Sequence, residues 1–264
     1  MRIAILGANG YLGGYLLEHL IHNHYVIPVV RNTLDLTDYQ AVDQWLSATQ
    51  PDVIINCAIS GGGRNVDDIN YSDVQRDLTI FLNFYNNPGV RRYINIGSGA
   101  EFDKRTSISN ASERDILTAK PLESYGFTKN MIARMILKRQ SFYTLRLFGC
   151  FDSSEPNIRL FKKFKRDGKI TVSDKYFDYI SARDFATIAE HYCTSTDLYK
   201  DLNCVYPEKL MLSEQLKLFA KYQVPNGLID VKLEPGPNYT GNGDNLARLK
   251  LPLQGLEQGF KNYE

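Results

Sequence analysis

The sequence predicts an α/β fold in which a mostly parallel sheet is wound on both faces by helices. Short β-branched runs alternate with amphipathic stretches through the first half of the chain. The runs are apolar without in-and-out alternation, so both faces of the sheet must be covered. A glycine-rich join between the first run and the first helical stretch is the third sign, because it is the turn such sheets use to start a helix.

Taken in order, Arg2 to Leu6 reads as a strand and Tyr11 to His22 as a helix. Tyr25 to Val30 is the second strand, Asp38 to Ala48 a helix and Val53 to Asn56 the third strand. A long helix is expected from about Asp67 to Tyr85, then a strand from Arg92 to Gly97. Ser124 to Arg139 reads as a helix and Phe142 to Phe148 as the next strand. Right-handed crossovers would line the carboxyl ends of these strands along one edge, where ligands bind.

Beyond about residue 150 the pattern turns irregular. Asp152, Ser153, Ser154 and Pro156 lead into a basic helix from Arg159 to Arg166. Pro225, Gly227, Pro235, Gly236 and Pro237 mark turns among short elements. Residues 1–150 are therefore expected to form the main domain. Residues 151–264 are expected to form a small substrate-binding region, interleaved with the main sheet and not free of it.

The 264 residues carry 31 basic and 30 acidic side chains, a net charge of +1 that argues against nucleic acid or a membrane surface as partner. Cys57, Cys150, Cys193 and Cys204 are scattered, which suits a reducing compartment. With no leader-like segment after Met1 and no apolar run of bilayer length, a cytoplasmic location is expected. The four histidines, His19, His22, His24 and His191, show no ligand spacing, and no metal is expected.

Gly7-Ala-Asn-Gly10-Tyr-Leu-Gly13-Gly14 follows the first strand directly. Its G-x-x-G-x-x-G spacing lets the chain turn sharply and brings a pyrophosphate against the helix amides. Gly7, Asn9, Gly10, Tyr11, Leu12 and Gly13 are therefore candidate dinucleotide contacts, and the fold becomes a Rossmann-type doubly wound sheet. An acidic residue ending the second strand would bind both adenosine ribose hydroxyls and repel a 2′-phosphate. The chain has Arg31 there, which can pair with that phosphate, so NADP(H) is expected, with NAD(H) as the alternative. Asp35 and Leu36 follow at the adenine side, and Thr37 or Asp38 can cap the next helix.

Tyr125-Gly-Phe-Thr-Lys129 opens a predicted helix, and the i,i+4 spacing stacks Tyr125 and Lys129 on one face. An ammonium beside a phenol favours the phenolate, so the pair can pass a proton to or from a carbonyl oxygen while hydride moves at nicotinamide. Lys129 would also hold the nicotinamide ribose. Ser98, ending the fourth strand, offers a hydroxyl to the same oxygen.

With these three motifs in order, the chain resembles the extended branch of the short-chain dehydrogenase/reductase superfamily. Pro51-Asp-Val-Ile-Ile-Asn56-Cys-Ala58 is similar to the segment that runs beside the cofactor, which makes Ala58 a contact by resemblance. Leu145-Arg-Leu-Phe-Gly149, Phe177 to Asp184 and Tyr239 to Asp244 resemble further family segments, so the likeness spans nearly the whole chain. Extended members mostly modify nucleotide-linked sugars. Dehydratases of that branch carry an Asp-Glu pair after the catalytic hydroxyl, where this chain has Gly99-Ala100. Reductases of the dTDP-4-dehydrorhamnose type carry Phe-Asp (compare Phe102-Asp103) and Tyr-Gly-x-Thr-Lys, but usually Thr where Ser98 stands.

The resemblance thus implies NADPH-dependent reduction of a 4-keto-6-deoxy sugar on a nucleotide diphosphate. A 4-epimerase with retained NAD is the runner-up and a non-catalytic NADP-binding regulator the third reading. It also implies a homodimer paired through the two long helices flanking the site. Arg159, Lys162 and Lys163 on the basic helix are candidate partners of the nucleotide diphosphate, but a solvated charged face is the better reading of any one of them, and Arg64, after Gly61-Gly-Gly63, could reach substrate or cofactor from the other side. Tyr176, Phe177 and Tyr179 fit a core as well as a base-stacking surface.

Overall fold

The computed structural model describes residues 1–59 and 70–263. In chain order the first half holds β1 (Arg2–Leu6), α1 (Tyr11–Leu20), β2 (Tyr25–Val29), α2 (Tyr39–Thr49), β3 (Val53–Asn56), α3 (Tyr71–Tyr85), β4 (Tyr93–Ser98), β5 (Ile108–Ala111), α4 (Ser124–Ile136) and β6 (Phe142–Leu147). There follow β7 (Cys150–Phe151), α5 (Leu160–Asp167), β8 (Lys169–Ser173), β9 (Ile180–Ser181), α6 (Ala182–Thr194) and β10 (Asp201–Asn203). The chain closes with α7 (Leu212–Gln223), β11 (Leu228–Lys232), β12 (Tyr239–Gly241), α8 (Asp244–Arg248) and α9 (Leu256–Lys261).

Six strands make one parallel sheet in the order β10-β6-β4-β3-β1-β2. This is the doubly wound α/β sheet that the apolar runs predict. β1, β3 and β4 are buried almost throughout because helices cover both faces. Against one face lie Leu16 and Leu20 of α1 with Phe185, Ile188 and Ala189 of α6. Against the other lie Leu46 of α2, Phe81 and Phe84 of α3, and Ile132 and Ile136 of α4. Pro28 is tolerated because β2 is an edge strand, bonded only to β1.

Segments after residue 150 build part of this sheet. β10 extends it beside β6, and α6 packs against α1. The remainder forms paired short strands (β8 with β11, β5 with β12, β7 with β9) around an aromatic core. In that core Phe260 lies 4.6 Å from Phe151 and 4.7 Å from Phe161, centroid to centroid.

Local chemistry sets most boundaries. Asp38 caps α2 by accepting from the amides of Gln40 and Ala41, and Gly168 ends α5 at φ 65°. α1 stops at Leu20 and not at His22, since residues 21–24 turn toward β2. The described part of the long third helix begins at Tyr71 behind its cap Asn70. Its expected start at Asp67, Gly61-Gly-Gly63 and Arg64 lie outside the described residues. β5 and two 3-10 turns, Gly99–Phe102 and Glu113–Leu117, fill the span between β4 and α4. Unlike the equally short β3 with its Val-Ile-Ile run, these segments (Ile-Ser-Asn-Ala, Gly-Ala-Glu-Phe and Glu-Arg-Asp-Ile-Leu) carry polar residues that interrupt any apolar run, so the sequence did not reveal them.

Candidate active site

The carboxyl ends of β1, β2, β3, β4 and β6 meet at one edge of the sheet, and a string of cavities runs along it. At one end the turn after β1 is drawn tight. Gly7 sits at φ +78°, and a Cβ on it would lie 2.9 Å from the backbone of Ala58. A Cβ on Gly13 would lie 2.3 Å from the carbonyl oxygen of Gly7. Only glycine at both places lets the start of α1 close onto β1 and β3. The amides of Gly7 and Ala8 both donate to the Val29 carbonyl, which fixes the turn against β2.

The cavity beside this turn measures about 290 Å³ and is lined by Gly7, Asn9, Gly10, Arg31, Asp35, Leu36 and Ala58 among others. Seven of the residues singled out from the sequence thus face one space. Gly13 does not line it; its part is helix packing. Arg76, on α3, lines the same cavity as Arg31, and no motif signalled it because its position follows from how α3 packs. Asp35 is oriented locally: one carboxylate oxygen accepts from the amide of Thr37 at 2.9 Å and from its hydroxyl at 2.6 Å. Those bonds hold its carboxyl below the usual carboxylate range, so it stays ionised beside Arg76.

A second cavity, about 110 Å³, adjoins the first through Cys57 and Ile59. Leu12, Ser98, Tyr125, Lys129, Gly149 and Arg159 line it. The three residues expected to do chemistry therefore share one space, brought from β4 and from the first turns of α4. Lys129 is buried, and its ammonium donates to the Ile96 carbonyl at 2.7 Å. Anchoring a cation to a strand carbonyl fixes its position while leaving two of its three donors for other partners.

Ser98 is held from behind. Its amide donates to Glu101 Oε1 at 2.8 Å, and its hydroxyl accepts from the Ala100 amide at 3.2 Å. Glu101 is fully buried, and its other oxygen accepts from Arg146 Nε at 2.7 Å. Arg146 also donates to Asp201 Oδ2 at 2.7 Å and to Asn203 Oδ1 at 2.9 Å. Burial pushes the Glu101 carboxyl up against the pull of the Arg146 guanidinium. This network ties β4, β6 and β10 together beneath the serine.

The third cavity, about 250 Å³, shares Ser98 and Tyr125 with the second. Phe148, Phe177 and Tyr239 give it an aromatic wall, and Lys104 and Lys175 line it as well. Phe177 stacks on Tyr239 at 5.1 Å. Lys104 pairs with the buried carboxylate of Glu123, two residues before Tyr125, at 2.5 Å. Burial lowers the pKa of Lys175, whose ammonium lies 5.4 Å from the Phe177 ring centre. Of the three aromatics left open by the sequence, Phe177 lines the cavity, Tyr179 packs into the aromatic core and Tyr176 is exposed.

Three of the four histidines bond other side chains: His19 and His24 bond Glu190, and His191 bonds Ser195. Among the described residues no group of three His, Cys, Asp or Glu side chains is placed to hold a metal ion. No helix among them is long and apolar enough to cross a membrane.

Solved structures with this fold cover nearly all of the chain. A dTDP-4-dehydrorhamnose reductase from Clostridium acetobutylicum superposes with a TM-score of 0.81 at 18% identity, covering 100% of this chain and 98% of that one. A GDP-mannoheptose C4 reductase from Campylobacter jejuni, with NADP bound, gives 0.81 at 17% identity over 99% and 96%. A UDP-glucose 4-epimerase from Thermotoga maritima, with UDP-glucose, gives 0.78 at 16% identity over 100% and 97%. At such identities the likeness establishes the fold. No curated protein sequence matches the chain significantly. The family model for the NAD dependent epimerase/dehydratase family matches residues 3–192. With the glycine turn, the serine and the tyrosine–lysine pair all inside that span, the chain belongs to the NAD dependent epimerase/dehydratase family.

Proposed function

We propose that the protein reduces the 4-keto group of a nucleotide-linked 4-keto-6-deoxy sugar with NADPH as reductant. The observation that carries this reading is that Ser98 and Tyr125 line both the inner cavity next to the glycine turn and the outer aromatic, cationic cavity. A carbonyl group held where the two cavities meet lies within reach of both hydroxyls.

The tight turn at Gly7 and Gly13 suits a dinucleotide, with Arg31 and Arg76 available to a 2′-phosphate. NADPH bound there supplies hydride. Tyr125 gives a proton to the carbonyl oxygen as it becomes an alcohol, and the Ser98 hydroxyl donates to the same oxygen while charge develops. Lys129, fixed on the Ile96 carbonyl, lines the same cavity as the phenol. Glu101 faces Arg146 in the core, and Gly99 and Ala100 carry no acid, so this turn offers no acid–base pair for dehydration. Lys104 and Lys175 suit the charge of a nucleotide diphosphate.

The test is purified protein with NADPH and a panel of dTDP-, GDP-, CDP- and UDP-linked 4-keto-6-deoxy sugars, followed by NADPH absorbance. Failure to bind NADPH, or to oxidise it with any of them, overturns the proposal. A 4-epimerase with retained NAD is the second reading, supported by the family match. Denaturing the protein and identifying any released dinucleotide separates the two. We also propose a homodimer paired through α3 and α4, which light scattering in solution checks, and a cytoplasmic location, consistent with four free cysteines.

A further inference from the structure

The basic residues of α5 and its cap differ in one respect. Lys162 donates to the Ser153 carbonyl, Lys165 to Gln223 and the Tyr263 carbonyl, and Arg166 to Asp167. Lys163 is exposed to solvent. Arg159 instead is half-buried and lines the inner cavity with Leu12, Ser98, Tyr125 and Lys129. Its guanidinium carbon lies 5.7 Å from the centre of the Tyr11 ring. Among the described residues nothing forms a hydrogen bond or ion pair with that guanidinium. The nearby Glu155 feels the charge of Arg159 without bonding to it, and its Oε1 accepts from the Lys162 amide at 3.1 Å and from the Tyr263 hydroxyl at 2.8 Å.

A guanidinium carries five N–H donors in a planar fork, and those of Arg159 keep contact with solvent, so an anion entering the cavity can take them. The contact with Tyr11 holds the charge in place and satisfies none of those donors. Tyr11 and Leu12 are the first two residues of α1, directly after the glycine turn. An anion in the cavity would meet the amide end of α1 on one side and the arginine fork on the other. A group with several anionic oxygens, spread over more than one phosphorus, matches both.

We propose that Arg159 is a diphosphate ligand, by which the region after residue 150 clamps a phosphoanhydride across the inner cavity. The inference rests on the dinucleotide reading above and adds a binding residue from the other side of the cleft. Both the coenzyme and a sugar nucleotide carry a diphosphate, and the experiment distinguishes them.

Arg159→Gln and Arg159→Lys are compared with the unaltered full chain by titration calorimetry, after melting curves confirm folding. The probes are NADPH, then adenosine 2′-monophosphate, which keeps the adenosine and 2′-phosphate but lacks both phosphates of the diphosphate. The third probes are dTDP, GDP and UDP, added to protein saturated with NADP+. For Arg159→Gln the expected result is about tenfold weaker NADPH binding, with the monophosphate unchanged within about twofold and Arg159→Lys intermediate. A loss confined to the nucleoside diphosphates also supports the ligand role and assigns the diphosphate to the sugar nucleotide. Unchanged affinity in both arms overturns the proposal, as does equal weakening of NADPH and the monophosphate, which would mean damage to the adenosine cavity. Wild-type protein that binds neither NADPH nor the monophosphate refutes the dinucleotide reading itself.

Discussion

The two ends of the cleft are made of different material. At the proposed coenzyme end the glycine turn and the ends of β1, β2 and β3 supply backbone, and Arg31, Asp35 and Arg76 add side chains. The glycine turn itself is one short stretch of chain. The proposed substrate end is walled by side chains from scattered places, Lys104, Tyr125, Phe148, Lys175, Phe177 and Tyr239, none of them joined by a motif. A backbone-built site tolerates little change in shape, whereas a side-chain-built site can be altered one residue at a time.

The largest expected effect lies where the two ends meet. Tyr125→Phe should lower turnover of whichever keto sugar the wild type reduces by about 10²–10⁴-fold, leaving NADPH affinity nearly intact. Equal losses in turnover and affinity would contradict the proton-donor role. The second prediction concerns the two cores beneath the cleft, one aliphatic and one aromatic. Phe161→Ala in the aromatic core and Leu16→Ala under the sheet should each cost about 2–5 kcal/mol. Because β10 and α6 come from beyond residue 150 and complete the main sheet, both variants should melt in one transition. Two resolved transitions for Phe161→Ala would show that the cores unfold separately.

A smaller effect is expected from Glu155, beside Arg159, whose carboxyl burial pushes up to about 7 from an ordinary 4.5. Since the folded chain holds this proton more tightly than the unfolded chain, the associated stability is complete below the ordinary value and fades as pH rises toward 7. Glu155→Gln keeps an acceptor for Tyr263 and should remove roughly 2–3 kcal/mol of that pH dependence. Melting both proteins at several pH values between the two limits checks it; parallel curves would refute it. At the adenosine end, Arg31→Ala should weaken NADPH binding about tenfold and leave NADH nearly unchanged. If Arg31→Ala has no effect and Arg76→Ala does, the arginine from α3 carries the 2′-phosphate contact.

Where the sequence was legible, the reason is local. Gly7 and Gly13 are required by a turn in which a Cβ would strike backbone, so the demand is visible at those positions. Tyr125 and Lys129 sit one helical turn apart, a relation that spacing alone expresses. Most of the sheet followed in the same way, since β1 and β3 carry short apolar runs, whereas β10, Asp-Leu-Asn, carries none and was not foreseen. Arg76, Lys104 and Lys175 were not legible: each is an ordinary basic residue until the packing of α3, or of segments some seventy residues apart, brings it to a cavity. Glu101 gave no sign of being buried, because its burial depends on Arg146 arriving from β6.

The sequence by itself determined the parallel α/β sheet, the glycine turn at its first crossover and the tyrosine–lysine pair on one helix face. Each of these is fixed by backbone sterics or by the period of a single element. The tertiary structure alone decided that Ser98 is braced by a buried glutamate–arginine pair, that Arg159 faces the inner cavity, and that an aromatic wall closes the outer one. Those are meetings of side chains far apart in the chain, and only long-range packing brings them together.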